Sequence, residues 1–207
     1  MNEYTFTAHG KKYTTYSGGW YINHDYDNLD AEQLLSLPNL LVGVYGTLRK
    51  GERAEGMMSS MSHIADVRMP MFVMFNVGSF PFLTYRNSDV VANVLRTSTF
   101  SINFPRVELY ESPDADTLDT LDGYEGYPLL YHRRVVCMEC VDTETGNCVN
   151  FHVAVYTWAS DDVDRYDVIP SGDWVNRNEK PQPVKLRSAV RDRFAVLREA
   201  MTGVEEP

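Results

Sequence analysis

The chain reads LLVGVYGTLRKG from Leu40 to Gly51. Its first part, Leu40 to Tyr45, is a near-continuous apolar run, which is typical of a strand buried on both faces. Gly46 follows the strand, and a glycine there lets the backbone approach a ligand closely. The backbone N–H groups of Gly46 to Arg49 would then suit a carboxylate or a developing oxyanion. The pattern predicts a core strand that carries a binding loop at its end.

Further elements follow this strand along the chain. A short helix is predicted over Gly56 to Ser62. The uncharged run from Met69 to Tyr85 predicts a buried strand followed by a loop, because it is interrupted by Pro70, Asn76, Gly78 and Pro81. The predicted strands are Met71 to Val77, Val90 to Leu95 and Val107 to Tyr110.

A central helix is predicted to open at Ser112-Pro113-Asp114. Serine is a good N-cap, proline suits the first helical position, and aspartate complements the positive end of the helix dipole. Leu118 and Leu121 lie three residues apart and predict the inner face, and Gly123 is the predicted C-terminal stop.

Two alternating runs then form a predicted hairpin around Thr143 to Asn147. In the second run, one face carries Val149, Phe151, Val153 and Val155, and the other carries Asn150, His152, Ala154 and Tyr156. Apolar residues at helical spacing predict a final helix over 184–202. These elements indicate an α+β fold whose main domain spans 39–207.

Residues 1–38 form a predicted N-terminal extension. Tyr4 to Ala8 and Lys12 to Tyr16 are β-prone runs around a turn, which predicts a hairpin. The glycines before Trp20 are expected to break the strand pattern. Asp30 to Leu37 is a predicted short helix with Asp30 as its N-cap and Pro38 after its end.

Composition excludes several classes of protein. The 207 residues carry a formal net charge of −10, which disfavours binding to a nucleic-acid backbone. Aromatic residues make up 12%, far more than disordered chains carry. The start has no secretory signal, no stretch suits a membrane span, and three cysteines do not suggest a disulfide framework. A cytoplasmic location is expected, with neither nucleic acid nor membrane as a partner.

Three separated stretches carry the functional signal: Val44 to Gly51, Leu118 to Arg133 and Ile169 to Trp174. The second contains LDGYEGYP from Leu121 to Pro128, followed by Tyr-x-Arg. In this order, over roughly residues 40–175, they resemble the γ-glutamylcyclotransferase-like family. That family includes the γ-glutamylamine cyclotransferases and the AIG2-like proteins.

The resemblance implies a compact mixed β-barrel with a cavity, one central helix and one C-terminal helix. It also implies cyclisation of the γ-glutamyl group of a small amine or peptide to 5-oxo-proline, with release of the amine and without metal or cofactor. Glu125 matches the family's acid/base residue. The expected substrate-binding residues are Tyr45, Gly46, Thr47, Leu48, Arg49, Tyr131 and Trp174.

Elementary chemistry agrees with a glutamate in that role. The α-ammonium of the substrate must lose a proton before it attacks its own γ-carbonyl, and the departing amine must gain one. One carboxylate with a pKa lifted toward neutrality can do both. The predicted helix end, the nearby Asp119 and Asp122, and burial against Tyr124, Tyr127 or Trp174 would each raise the pKa of Glu125.

Other interpretations stay open. An inactive family member would use the cavity to bind a small metabolite or a protein. The spacing of Cys137, Cys140, Cys148 and His152 is a conceivable zinc set, although residues three apart on a strand face opposite sides. A protein partner would dock on the N-terminal extension or on the basic face of the final helix, which carries Lys185, Arg187, Arg191, Arg193 and Arg198.

Overall fold

The computed structural model describes residues 3–26, 29–86, 88–98, 101–111, 114–160 and 162–178. The strands are β1 (Glu3–Ala8), β2 (Lys11–Ile22), β3 (Leu40–Val44), β4 (His63–Arg68), β5 (Phe72–Asn76), β6 (Pro81–Tyr85), β7 (Arg106–Glu111), β8 (Tyr131–Asp142), β9 (Cys148–Trp158) and β10 (Asp167–Val168). The helices are α1 (Ala31–Leu35), α2 (Asp89–Thr97) and α3 (Ala115–Glu125), with 3-10 turns at His24–Tyr26 and Glu55–Met58. The predicted helix over 184–202 lies outside the described residues.

The strands form a seven-stranded sheet in the order β1-β2-β8-β9-β3-β7-β4 and a three-stranded sheet in the order β10-β5-β6. β3 runs parallel to β9, and its other neighbour, β7, is antiparallel. The larger sheet curls until β1 lies beside β4. The N–H of His9, just after β1, also donates to Glu111 Oε1 at the end of β7, at 3.2 Å. The result is a mixed sheet nearly closed into a barrel, which confirms the predicted α+β fold.

Residues of β3 pack alternately into two core clusters. Leu41 joins the cluster that contains Val107, Phe151 and Val153, whereas Val42 faces the cluster that surrounds Tyr131 and Tyr156. Every residue of this strand is buried. The predicted two-faced core strand is therefore confirmed, and its central place in the sheet fixes where its carboxyl end emerges.

The N-terminal hairpin is confirmed, but β2 continues through the two glycines to Ile22 instead of breaking there. The register of β2 against β8 shifts between Thr15 and Trp20. A Cβ at Gly19 would lie 3.0 Å from Glu139 O, so glycine permits this close irregularity. The glycines therefore mark a bulge within the strand.

Two predicted elements change type. Val90 to Leu95 is part of helix α2, not a strand, because Ser88 caps its first turn and buried Val91 lies four residues from Leu95 on one helical face. Runs of β-branched residues raise strand propensity, and the helical cap and spacing override it here. The helix predicted over Gly56 to Ser62 is a single 3-10 turn at Glu55–Met58.

The central helix is confirmed, with different ends. Its N-cap is Asp114, which accepts from the N–H of Thr117 at 2.8 Å. It continues past Gly123 to Glu125, and Gly126 ends it in the left-handed conformation with φ of 67°. Leu118 and Leu121 are buried, as predicted.

The short helix α1 and the β8–β9 hairpin are confirmed. Asp30 caps α1 by accepting from the N–H of Gln33 at 2.8 Å, and the Gln33 side chain accepts in return from the N–H of Asp30. Within the described ranges, no helix is both long and apolar enough to cross a membrane.

Candidate active site

A cavity of about 220 Å³ opens where β3 ends, β6 begins and α3 ends. This volume is below the roughly 300–1,000 Å³ of pockets for drug-sized ligands, so it suits a small metabolite. The lining residues are Gly43, Val44, Tyr45, Gly46, Thr47, Leu48, Arg53, Phe80, Pro81, Tyr124, Glu125, Leu130, Tyr131 and Tyr156.

The loop after β3 forms one wall of the cavity. The N–H of Arg49 donates to Gly46 O at 3.1 Å, and the N–H of Ala54 donates to Thr47 O at 2.9 Å, which holds the loop in a tight turn. Within the described part of the chain, no acceptor takes the N–H groups of Gly46, Thr47 and Leu48. These three donors are free for a ligand, whereas the predicted donor at Arg49 is occupied.

Gly46 is fixed by close packing. A Cβ at this position would lie 2.8 Å from Pro81 Cγ, a distance at which one of the two must move. The absence of a side chain lets the loop press against the first residue of β6. The loop is also tied to α3, because Thr47 Oγ1 and the Tyr124 hydroxyl are 2.9 Å apart.

Helix α3 places Glu125 at the cavity. Leu121 is buried and lies four residues earlier, so both side chains project from the same face of the helix. Gly126 then stops the helix, and its N–H donates to Asp122 O and Gly123 O. Glu125 is thus the last helical residue, and it lines the same cavity as the loop after β3.

Burial raises the pKa of Glu125 to about 7. Four tyrosines line the cavity with it. The Tyr124 hydroxyl pairs with Thr47 Oγ1, and the other three hydroxyls donate elsewhere: Tyr45 to Tyr156 O at 2.8 Å, Tyr131 to Pro81 O at 2.9 Å, and Tyr156 to Asp122 Oδ1 at 2.6 Å. With no hydrogen-bond donor among the described residues, the Glu125 carboxylate gains little compensation for lost hydration.

The source of this shift differs from the prediction in part. Burial is the resolved cause of the raised pKa, whereas the sequence also pointed to Asp119, Asp122 and the helix end. Asp122 instead forms an ion pair with buried Arg133, which also donates to Leu29 O at 2.9 Å. This pair neutralises the charge of Asp122 and fixes the start of β8 to α3.

Arg49 does not line the cavity, although it was expected to bind substrate. It is buried, and its guanidinium bridges Glu108 at 2.9 Å and Asp173 at 2.5 Å. Glu108 also accepts from the N–H of Lys50 at 3.0 Å. The arginine therefore ties the cavity loop to β7 and to the segment around residue 173.

Trp174 also lies away from the cavity lining, in contrast to the expectation that it would bind substrate. Its ring belongs to the larger core cluster, and its Nε1–H donates to Glu52 Oε2 at 3.2 Å. The Arg177 guanidinium stacks over this ring, 4.0 Å from the ring centroid. It is a core aromatic that anchors the segment following the cavity loop.

The structure brings the remaining predicted residues together: Tyr45, Gly46, Thr47, Leu48, Tyr131 and Glu125 all line one cavity. It adds lining residues that were not predicted, namely Arg53, Phe80, Pro81, Tyr124, Leu130 and Tyr156. Tyr156 lies on the face of β9 opposite Val155, as the alternation indicated. Nothing in the local sequence marked Arg53, because only the folded loop brings it to the cavity.

The four residues of the conceivable zinc set do not come together. Cys137 and Cys140 are buried, Cys148 is exposed, and His152 Nδ1 is 2.7 Å from Pro38 O. Within the described ranges, no group of three or more His, Cys, Asp or Glu side chains has a metal-binding arrangement.

Comparisons with known proteins identify the family. The model of "Gamma-glutamyl cyclotransferase, AIG2-like" matches residues 42–176. An AIG2-like protein from Mus musculus is 20% identical, with 71% of this chain and 97% of that chain covered and a TM-score of 0.45. An uncharacterised protein from Pyrococcus horikoshii is 16% identical, with 76% and 97% covered and a TM-score of 0.43.

No curated protein matches the sequence. The family model, however, spans well over half of the chain and includes the cavity loop, α3 and Trp174. This chain belongs to the AIG2-like gamma-glutamyl cyclotransferase family.

Proposed function

We propose that this protein cyclises the γ-glutamyl group of a small γ-glutamyl compound to 5-oxo-proline and releases the amine. The observation that carries the proposal is the position of Glu125. Its carboxyl group lines a small cavity, opposite the free amides of Gly46 to Leu48, and its pKa of about 7 suits a group that both accepts and donates protons.

The reaction would begin with proton transfer from the substrate's α-ammonium to the Glu125 carboxylate. The freed amine attacks the γ-carbonyl carbon, and a C–N bond forms to close the five-membered ring. The amides of Gly46 to Leu48 would donate to the oxyanion that develops on the carbonyl oxygen. The bond to the leaving amine then breaks as protonated Glu125 returns a proton to that nitrogen, and the ring nitrogen loses its second proton to the Glu125 carboxylate, which releases it to solvent.

The surrounding tyrosines support this assignment. Burial raises the pKa of both Tyr45 and Tyr131, so their hydroxyls stay neutral at physiological pH. Both hydroxyls are already hydrogen-bonded to backbone carbonyls. They would therefore shape the cavity and exclude water, and they leave proton transfer to Glu125.

The test is 5-oxo-proline release from γ-glutamyl amino acids and γ-glutamyl amines by the wild-type protein and Glu125→Gln. We expect Glu125→Gln to lower kcat by about 10²- to 10⁴-fold, the usual contribution of general acid–base catalysis. The matched control is Glu144→Gln, a change in the exposed β8–β9 turn that should leave release unaltered.

The pH dependence gives a second readout. For the wild-type protein, kcat/KM should rise with pH and level off above about 7, where Glu125 is ionised. A Glu125→Gln protein with wild-type activity would overturn the proposal. Binding of γ-glutamyl compounds without any release by the wild-type protein would instead favour the non-catalytic binding module.

We also propose that the protein acts in the cytoplasm. Its three cysteines, Cys137, Cys140 and Cys148, are free thiols, which suits a reducing compartment. Immunofluorescence of the full chain in its native cell is the measurement, and a signal confined to a membrane-enclosed oxidising compartment would contradict this location.

A further inference from the structure

The cavity has a closed end and an open end with different chemistry. Its buried lining residues include Tyr45 and Tyr131. At its mouth lie the exposed residues Arg53, Tyr124 and Leu130. For a γ-glutamyl group bound at the loop amides, we expect the leaving amine to extend toward these exposed residues.

Arg53 is the one cation among the described residues that line the cavity. Within the described ranges it has no hydrogen bond, ion pair or ring contact. The other described arginines each have a polar, ionic or ring contact, namely Arg49, Arg68, Arg86, Arg96, Arg106, Arg133, Arg134, Arg165 and Arg177. Arg53 thus differs from the arginines that the fold uses structurally.

The acidic residues beside Arg53 in sequence have other partners. Glu52 Oε2 accepts from Trp174 Nε1 at 3.2 Å, and Glu52 Oε1 is 3.7 Å from the Arg177 guanidinium. Glu55 Oε2 accepts from the N–H of Gly51 at 2.8 Å. Neither carboxylate neutralises Arg53, so its five N–H donors stay available to a ligand at the mouth.

We propose that Arg53 selects substrates whose leaving amine carries a carboxylate, so that γ-glutamyl amino acids are preferred over γ-glutamyl alkylamines. This inference rests on the proposed function. A guanidinium pairs with a carboxylate through two parallel hydrogen bonds, which gives direction as well as attraction. In a chain with a net charge of −10, such a local cation also offsets the repulsion of an anionic substrate.

Two substrates isolate this effect, because γ-glutamylalanine and γ-glutamylethylamide differ only by the carboxylate on the leaving amine. Arg53→Gln should lower kcat/KM for γ-glutamylalanine by roughly tenfold, mainly through KM, since a hydrogen bond to a charged group is lost. The value for γ-glutamylethylamide should change less than about twofold. Arg53→Lys should restore only part of the loss, because an ammonium keeps the charge but not the paired hydrogen bonds.

The matched control is Arg96→Gln, which removes an exposed arginine on α2 away from the cavity. The wild-type preference for γ-glutamylalanine should also shrink as salt is raised from about 20 to 500 mM, because exposed charges are screened. Equal losses of kcat/KM on both substrates would mean that Arg53 binds the α-carboxylate of the glutamyl group, and this result would overturn the inference. No loss on either substrate would overturn it as well.

A binding measurement separates this inference from the reaction. Titration calorimetry with both compounds on Glu125→Gln, with and without Arg53→Gln, needs no turnover. Roughly tenfold weaker binding of γ-glutamylalanine alone would support the role of Arg53, even if the wild-type protein releases no 5-oxo-proline. If neither compound binds, or if Arg53→Gln weakens both equally, the inference fails irrespective of activity.

Discussion

At the scale of single residues, Glu125 combines burial with an absence of hydrogen-bond donors among the described residues around it. The ionised form is therefore disfavoured, and its pKa rises to about 7 from the usual 4.5. The environment that suits Glu125 to accept and donate protons also reduces the stability of the folded state, because ionising a buried carboxyl group costs free energy.

The sign of that effect follows from proton binding. Between pH 4.5 and 7 the unfolded chain loses the Glu125 proton while the folded chain retains it. The contribution of Glu125 to stability is therefore fully present below pH 4.5, which is its pKa in the unfolded chain. It is lost as pH rises through about 7, which is its pKa in the folded protein. The shift corresponds to about 3 kcal/mol at most above pH 7.

Glu125→Gln should therefore raise the free energy of unfolding at pH 8 by up to about 3 kcal/mol, because the amide has no charge to bury. The gain should nearly vanish at pH 4.5. Urea unfolding at the two pH values is the measurement, with exposed Glu144→Gln as control. Equal stability of Glu125→Gln and wild type at pH 8 would contradict the raised pKa.

At the scale of elements, two glycines at the end of α3 have opposite roles. Gly123 lies inside the helix, and a Cβ added at this position would have no neighbouring atom within 4 Å. Gly126 has a φ of 67°, and a Cβ there would lie 3.2 Å from the Cβ of Leu130, which lines the cavity. The helix end thus depends on Gly126, although Gly123 was predicted to stop it.

Gly123→Ala should stabilise the protein by about 0.5–1 kcal/mol, because alanine loses less entropy in a helix. Gly126→Ala should destabilise it by about 1–2 kcal/mol and displace Leu130, since an L-residue is strained in the left-handed region. Thermal unfolding of both variants is the measurement. The opposite order of stabilities would mean that the helix ends at Gly123 in solution.

The cavity loop, which follows β3, is held in place by the buried ion pairs of Arg49 with Glu108 and Asp173. Burial alone would raise the pKa of Asp173, but the hydrogen bond and charge of Arg49 lower it below its usual 3.8. The stability that this carboxylate contributes is therefore present above pH 3.8 and is lost as pH falls further. The Arg49 side chain does not line the cavity, and its ion pairs hold the loop in position.

Arg49→Met should destabilise the fold by about 3–5 kcal/mol, because Glu108 and Asp173 then lose their shared buried cation. Arg165→Met removes an exposed pair with Asp162 and should cost less than about 1 kcal/mol. Urea unfolding at pH 7 compares them. A cost for Arg49→Met as small as that for Arg165→Met would show that the loop does not depend on this network.

At the scale of the whole molecule, the N-terminal hairpin helps close the barrel. Phe6 and Tyr13 pack on Phe151 of β9, with ring centroids 5.5 and 4.9 Å away. Both side chains are buried in the larger core cluster. The hairpin is thus part of the structural core.

Phe6→Ala should therefore cost about 3–5 kcal/mol, as expected for removal of a buried phenylalanine. The neighbouring exposed Thr5→Ala should cost less than about 1 kcal/mol. The measurement is chemical denaturation followed by fluorescence. If both variants unfold like wild type, the hairpin contributes nothing to the core in solution.

Local sequence alone determined much of this protein. Apolar runs identified β3 and β5, and alternation identified the two faces of β9. Asp30 was identified as the N-cap of α1. These signals can be detected in the sequence because they depend on residues that are close together in the chain. The order of three motifs resembles the γ-glutamylcyclotransferase-like family, and that resemblance pointed to Glu125 and to the loop from Tyr45 to Leu48. A pattern of residue types along the chain is sufficient for such inferences.

Other features were decided by tertiary structure. The type of α2, the glycine that ends α3 and the burial of Arg49 and Trp174 depend on neighbours far away in sequence. Arg49 meets an acid 124 residues away, and Arg53 reaches the cavity only because the loop folds back. Packing energy between distant segments exceeds local propensity, so these outcomes exist only in the folded chain.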